Sequence, residues 1–296
     1  MVYAKGRSFS QGKLEILCVQ AQGTHCASPN LHSRDLVRVG TVNRTMPQMS
    51  QHKFMENKYM PIPQELIPFD PKHIKLIRNV LTIAEQGTQT IPYGKVEVMN
   101  DGPGDKAQVT LSIGFTEYGG NLKRVLARYV DRGGLLAARM AAYIPFIGSK
   151  PLAQDKAFKS LLREAASDSI MAAVQEDCFE EFYLAPAFKF CKENGMALPL
   201  SYLVICDSFL HSGSILSFLR KKFPATLPAK TLDQEKLWIR QYTSARHEWL
   251  STHSNKLLRN TIYRTTYYKS LLSGEDWMLE RAHEIAMHGT KPLKIV

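Results

Sequence analysis

This 296-residue chain is short of several things, and each absence closes off a class of function. No apolar run approaches the length of a membrane-spanning helix, so no membrane span is expected. The opening Met1-Val2-Tyr3-Ala4-Lys5-Gly6-Arg7 lacks the apolar core of a signal peptide. Cysteine is sparse: five residues, at 18, 26, 178, 191 and 206, odd in number and irregular in spacing. They read as mostly reduced or buried thiols, with one bridge left open, and they show no metal spacing. Two near-misses of a zinc-protease motif, His247-Glu248 with His253 and His283-Glu284 with His288, have their histidines six and five residues apart. Zinc needs them at i,i+4 on one helix face. No internal repeat or long low-complexity segment is present, and neither a metal nor a cofactor is expected.

Positive charge is what the chain has in excess. The formal net charge is +11. The basic surplus sits at the two ends, and residues 61–218 are nearly balanced. Such a balance suits polyanionic partners such as cell wall, anionic lipid or nucleic acid. Plain solubility accounts for it equally well. Residues 1–60 are polar and turn-rich and read as an appendage or linker, with one strand-like run at Leu14–Val19. Residues 61–296 read as the functional domain, entered through Pro61-Ile62-Pro63 and Pro68.

The first readable element is a helix. Asp70 can cap it and Pro71 suits its first position. Leu76, Ile77, Val80, Leu81, Ile83 and Ala84 share one arc at 100° per residue. Glu85 lies in the last turn beside that face, and Gly87 stops the helix. Desolvation and the negative end of the helix dipole both raise a carboxyl pKa there, and Arg78, two turns back, would lower it. A carboxylic acid still protonated near neutral pH is what general-acid catalysis uses. The plain alternative is a solvated glutamate at a fraying helix end.

Next comes Asn100-Asp101-Gly102-Pro103-Gly104-Asp105, which Gly and Pro keep from being helical and which reads as a loop. It carries two carboxylates in a hydrated setting. Gln108 to Ile113 alternates like a strand, with Thr110 five residues beyond Asp105. One protonated and one ionised carboxylate across a sugar bond is the arrangement for glycoside hydrolysis. Read plainly, the same loop is a turn in which an Asp caps its own backbone.

From Asn121 onward the pattern is helical: Leu122 to Val130, Leu135 to Ala142, a long amphipathic run from Lys156 to Cys178, and a helix started or kinked at Pro186. Another helix lies within Leu198 to Leu219. It is apolar almost all round, so it is expected at the centre. A buried Asp207 on it needs a cationic partner. The candidates are Arg246, and Arg259 or Arg264. His211, one turn on, reads as a structural histidine rather than a ligand. Tyr263 to Lys269 is a basic aromatic run that fits core packing better than sugar or base stacking.

A helix-terminal Glu, then Asp-x4-Thr, Gly-Phe-Thr and Gly-Asn-Leu resembles the chitosanases of glycoside hydrolase families 46 and 80, within the lysozyme-like superfamily that includes muramidases. The resemblance spans about residues 61–272. It implies a mainly α (α+β), two-lobed lysozyme-like fold with a small β-hairpin beside a cleft. It also implies an inverting mechanism: Glu85 as acid, Asp105 as base with Asp101 as the rival, and Thr110 holding the water. An Asp on a core helix, tied through two arginines to the acid, falls on Asp207, Arg246 and Arg259 or Arg264. Where family 46 continues from its aspartate with Gly-Arg-Gly-Tyr-Thr, this chain has Lys106-Ala107-Gln108-Val109-Thr110.

The expected reaction is therefore hydrolysis of a β-1,4-linked amino-sugar polymer. Tyr93, Gln108, Thr116 and Asn121 are the expected sugar contacts. Chitosan is a polycation, so net charge tilts the expectation toward peptidoglycan and a muramidase-type, antibacterial enzyme, with chitosanase as the alternative. Such an enzyme would reach the wall by another export route or by lysis, and an immunity or delivery partner would fit. A non-catalytic wall or nucleic-acid binding module is the reading from another class. The paired carboxylates weigh against it, since an anion binder gains nothing from Asp101 and Asp105, and no nucleic-acid partner is expected.

Overall fold

The computed structural model describes residues 62–149, 151–281, 283–285 and 293–295. The expected appendage, residues 1–60, lies outside the described residues. A short 3-10 turn, Gln64–Leu66, leads into α1, Lys72–Gln86. The Asp70 carboxylate accepts from the Lys72 amide at 2.8 Å, so this aspartate does start the helix. Gly87 ends it in the left-handed conformation, φ 69°, donating to the Ile83 carbonyl. Ile77, Val80, Leu81, Ile83 and Ala84 are buried, as the apolar arc requires.

Three antiparallel strands follow: β1 (Val96–Gly102), β2 (Lys106–Leu111) and β3 (Phe115–Thr116), in that spatial order. Glu97 stands opposite Thr110, Met99 opposite Gln108 and Gly102 opposite Lys106. The register shifts between Met99 and Gly102. That irregularity carries Asn100 and Asp101 into the strand, where the sequence reads as loop. Only Pro103, Gly104 and Asp105 make the reversal, with Gly104 and Asp105 at φ 67° and 57°. Gly102 is held to its type by crowding: a Cβ there would lie 2.7 Å from the Lys106 carbonyl and 2.8 Å from the Tyr118 ring.

The remainder is mainly helical. α2 is Asn121–Asp131, α3 Ala137–Ala141, α4 Lys156–Ala165 and α5 Ser169–Phe179. The sequence reads 156–178 as one helix, and Asp168 is what divides it. Its side chain accepts from the Ile170 amide at 2.9 Å to begin α5, and also from the Tyr129 hydroxyl and the Leu135 amide, both at 2.7 Å. A π turn, Glu180–Leu184, joins α5 to α6, Ala185–Glu193. Pro186 offers no amide to the preceding turn, which gives the widened turn its cause. Then come α7 (Pro199–Ser212), α8 (Ser217–Arg220), α9 (Leu232–Thr252), α10 (Lys256–Asn260) and α11 (Tyr263–Ser273), and a β4–β5 pair, His283–Ile285 with Leu293–Ile295.

α7 is the axis of the molecule. Every residue in it except Phe209 is buried. A helix apolar on all sides belongs in the centre, and α1, α6 and α9 pack around it. This brings the C-terminal end of α1, the middle of α9 and the start of α11 to one polar spot on α7. No helix of the described residues is long and apolar enough to cross a membrane.

Candidate active site

The end of α1 is clamped from two directions. The Tyr263 hydroxyl donates to the Ala84 carbonyl at 2.8 Å, and Arg264 Nη2 to the same oxygen at 3.0 Å. Carbonyls in a last helical turn lack intrahelical partners, so these donors fix the turn that carries Glu85. On the other side, Gln86 Nε2 donates to the Ser112 carbonyl at 3.0 Å, and Lys95 Nζ donates to Gln86 Oε1 at 2.9 Å. The helix end is thereby fastened to the open end of the β1–β2 hairpin.

Glu85 is 3% exposed. Arg264 pairs with its carboxylate and places its other amino group 2.6 Å from Asp207 Oδ1. Arg246 Nη1 reaches Asp207 Oδ2 at 2.5 Å. The result is a buried line of alternating charge, Arg246–Asp207–Arg264–Glu85. Burial raises the Glu85 carboxyl above its ordinary pKa, and the Arg264 charge opposes this in part. Asp207 goes the other way: despite burial, two guanidinium groups hold it below the carboxylate range. One carboxyl is biased toward its proton and its neighbour is locked ionised, the division an acid catalyst and its support require.

Of the two alternatives read for the second arginine, the structure brings in Arg264. Arg259 turns away, its Nη1 donating to the carbonyls of His253 and Ser254 at the start of α10. Arg78 does not approach Glu85 either, since it is paired with Glu176 and Glu180. Among the described residues there is no group of side chains suited to a metal ion. A cavity of about 490 Å³ walled by Ile62, Pro63, Ile74 and Glu180 lies toward the opposite end of α1 from Glu85 and contributes nothing to this site.

The hairpin residues are spread along its length. Thr110 is buried, and its hydroxyl has no hydrogen-bond partner among the described residues. Thr116 stands opposite it on β3, and Glu97 on β1. Glu97 is a carboxylate that the sequence reading passed over, ion-paired with Lys95 at 3.3 Å. Asp105 is exposed at the far tip. Thr110 follows it by five residues, and at a strand rise of about 3.3 Å per residue the two are about 16 Å apart. Asp101 lies in β1 between the pairs Met99–Gln108 and Gly102–Lys106. Its backbone is nearer Thr110 than that of Asp105, and its side chain falls outside the described residues.

Three of the four expected sugar contacts already have protein partners. The Tyr93 hydroxyl donates to Glu176 at 2.5 Å. Gln108 Oε1 accepts from the Tyr118 amide at 3.1 Å. Asn121 Nδ2 donates to the Tyr183 hydroxyl at 3.2 Å. Gln108 and Thr116 are buried and present little surface to a ligand. Glu117 is also buried: Oε2 accepts from the Val109 amide at 3.1 Å, and Oε1 has no partner among the described residues.

The sequence profile of glycosyl hydrolase family 46 matches residues 79–282. A chitosanase of Bacillus subtilis (strain 168) is 25% identical over 191 residues, 60% of this chain and 67% of the relative. A Gynuella sunshinyii chitosanase solved with chitotetraose superposes with a TM-score of 0.64 at 19% identity, covering 77% of this chain and 99% of its own. A native chitosanase of Bacillus subtilis MY002 gives 0.64 at 20% identity, covering 77% and 100%. These likenesses establish the lysozyme-like fold, mainly helical with a small antiparallel sheet. The profile runs from within α1 to β4 and takes in Glu85, the hairpin and the arginine network alike, so the chain belongs to glycosyl hydrolase family 46 and is a glycoside hydrolase.

Proposed function

We propose that the protein hydrolyses chitosan by single displacement. The observation that carries this is the buried Glu85, held at a helix end by Arg264 and biased toward its protonated form. It serves as general acid to the leaving glycosidic oxygen. A hairpin aspartate serves as general base to a water. Asp101 suits that role better than Asp105, because its backbone is nearer Thr110 and the end of α1. Thr110, whose hydroxyl has no partner among the described residues, is the residue proposed to hold that water. Arg264, Asp207 and Arg246 hold the acid in place and set its charge.

Chitosan is preferred to peptidoglycan because the related proteins are chitosanases. Net charge, which favours peptidoglycan, sums over both termini and does not describe the field near the substrate. There the hairpin contributes Glu97, Asp101 and Asp105, three carboxylates that suit a polyamine. The test is parallel digestion of chitosan and purified peptidoglycan, with products read by mass spectrometry. Glucosamine oligomers from chitosan and no muropeptides are expected. Muropeptides without chitosan cleavage would reverse the assignment.

A further inference from the structure

The charged line does not stop at Arg246. Arg246 Nη1 binds Asp207 Oδ2, but Nη2 lies 3.1 Å from His211 Nδ1. Arginine only donates hydrogen bonds, so Nδ1 must be the accepting nitrogen and the ring proton belongs on Nε2. The Ser212 hydroxyl lies 3.3 Å from the same Nδ1, a second donor to it. Nε2 is buried without a partner among the described residues.

The arm taken by His211 matters because of what it would otherwise do. A guanidinium beside a carboxylate favours the fork, with both arms on both oxygens. Here each arginine has a single oxygen of Asp207: Arg246 holds Oδ2, and Arg264 Nη1 holds Oδ1 at 2.6 Å. We propose that His211 is a positioning residue: by accepting one arm of Arg246 it prevents the fork and so reserves the second oxygen of Asp207 for Arg264, which in turn holds Glu85. This rests on the reading of Glu85 as the acid and extends that site by one residue.

The charge balance around Glu85 gives the proposal a direction. The charged and titratable groups that face this cluster are Glu85 from α1, Asp207 and His211 from α7, Tyr242 and Arg246 from α9, and Tyr263, Arg264 and Tyr268 from α11. Without the His211 acceptor, Arg246 Nη2 is a buried donor with no partner, and the carboxylate it already touches offers another oxygen. If it takes that oxygen, Asp207 compensates Arg264 less, and Arg264 acts more strongly on Glu85. The Glu85 pKa then falls, and less of the acid is protonated at neutral pH. His211 must be neutral to accept. Burial and the two arginines hold its pKa well below the ordinary histidine value, consistent with that requirement.

The experiment compares His211→Asn, whose amide oxygen can replace Nδ1 as acceptor, with His211→Leu, which has no acceptor. Glu85 is titrated through the carbon NMR signal of its side-chain carboxyl, assigned by its loss in Glu85→Gln, so no substrate is needed. Leu should lower the Glu85 pKa by about one unit, as partial release of a neighbouring charge would, and Asn should leave it near the wild-type value. If the Leu variant does not fold, His211→Gln takes its place, with its oxygen one bond too far out. The alkaline limb of the chitosan pH–rate profile should shift with the NMR value. Equal Glu85 titration in the Leu and wild-type proteins, or an Asn variant shifted as far as Leu, overturns the role of His211. A Glu85 that titrates as expected in a protein inert on chitosan leaves His211 in place and removes the substrate reading instead.

Discussion

Glu85 is a single residue whose behaviour is decided by two opposing forces. Burial favours its proton, and Arg264 favours its charge. If burial prevails near neutral pH, the residue is a proton donor and not a structural ion. Glu85→Gln keeps the shape and a hydrogen-bonding oxygen but has no acidic proton. General-acid catalysis typically supplies about 10²–10⁴-fold in rate. Turnover of chitosan should fall by about that factor while the circular dichroism spectrum and melting curve stay close to wild type. A folded Glu85→Gln protein with undiminished turnover would remove the residue from the chemistry.

At the scale of elements, the site is a meeting of helix faces around α7, and Asp207 is where they meet. Its carboxylate is fully buried between Arg246 and Arg264. Asp207→Ala leaves Arg246 a buried cation without a carboxylate and Arg264 with Glu85 alone, which should cost about 3–5 kcal/mol of stability, read as a lowered melting temperature. The same ion explains a pH dependence. Its pKa is depressed in the folded state, so the unfolded chain binds the proton more readily. The stabilisation is therefore complete above the ordinary carboxylate pKa and drains away as pH falls below about 4. A melting temperature unchanged by Asp207→Ala, or flat across that acid window in the wild type, would mean the pair contributes nothing.

Much of this level was legible in the sequence. The apolar circumference of α7, the Gly87 stop and the need for a cation beside Asp207 all follow from local chemistry. Which arginine would arrive was not legible, because Arg259 and Arg264 are both near α11 and only tertiary packing separates them. Nor was the course of the hairpin. An irregularity in the ladder between Met99 and Gly102 keeps the expected loop at Asn100–Gly102 within the strand and leaves Asp105 at the tip. Spacing in sequence could not measure that distance, because it depends on whether the intervening residues are extended or coiled.

For the molecule as a whole, the fold separates two kinds of carboxyl. One is buried at the end of α1 among helices, and the others lie on a hairpin fastened beside it by Gln86 and Lys95. The glutamate is buried and the hairpin is open to solvent toward its tip; the proposed reaction needs sugar and water to enter between them. A nucleophile pressed against the anomeric carbon would require carboxyl groups about 5–5.5 Å apart, whereas an inverting pair stands about 6.5–9.5 Å apart to admit a water. The proposed single displacement requires the wider spacing. Cleavage of β-linked chitosan should first release the α-anomer, visible by proton NMR before mutarotation. An initial β-anomer, or transglycosylation at high substrate, would show a covalent intermediate and displace the hairpin base from its role. If inversion is seen, the two aspartates can be told apart directly. Asp101→Asn should lose about 10²–10⁴-fold in kcat, as removal of a general base does. Asp105→Asn, at an exposed tip about 16 Å from Thr110 by strand rise, should keep most of the activity. The opposite result would mean that the hairpin folds over the bound chain and brings its tip to the water.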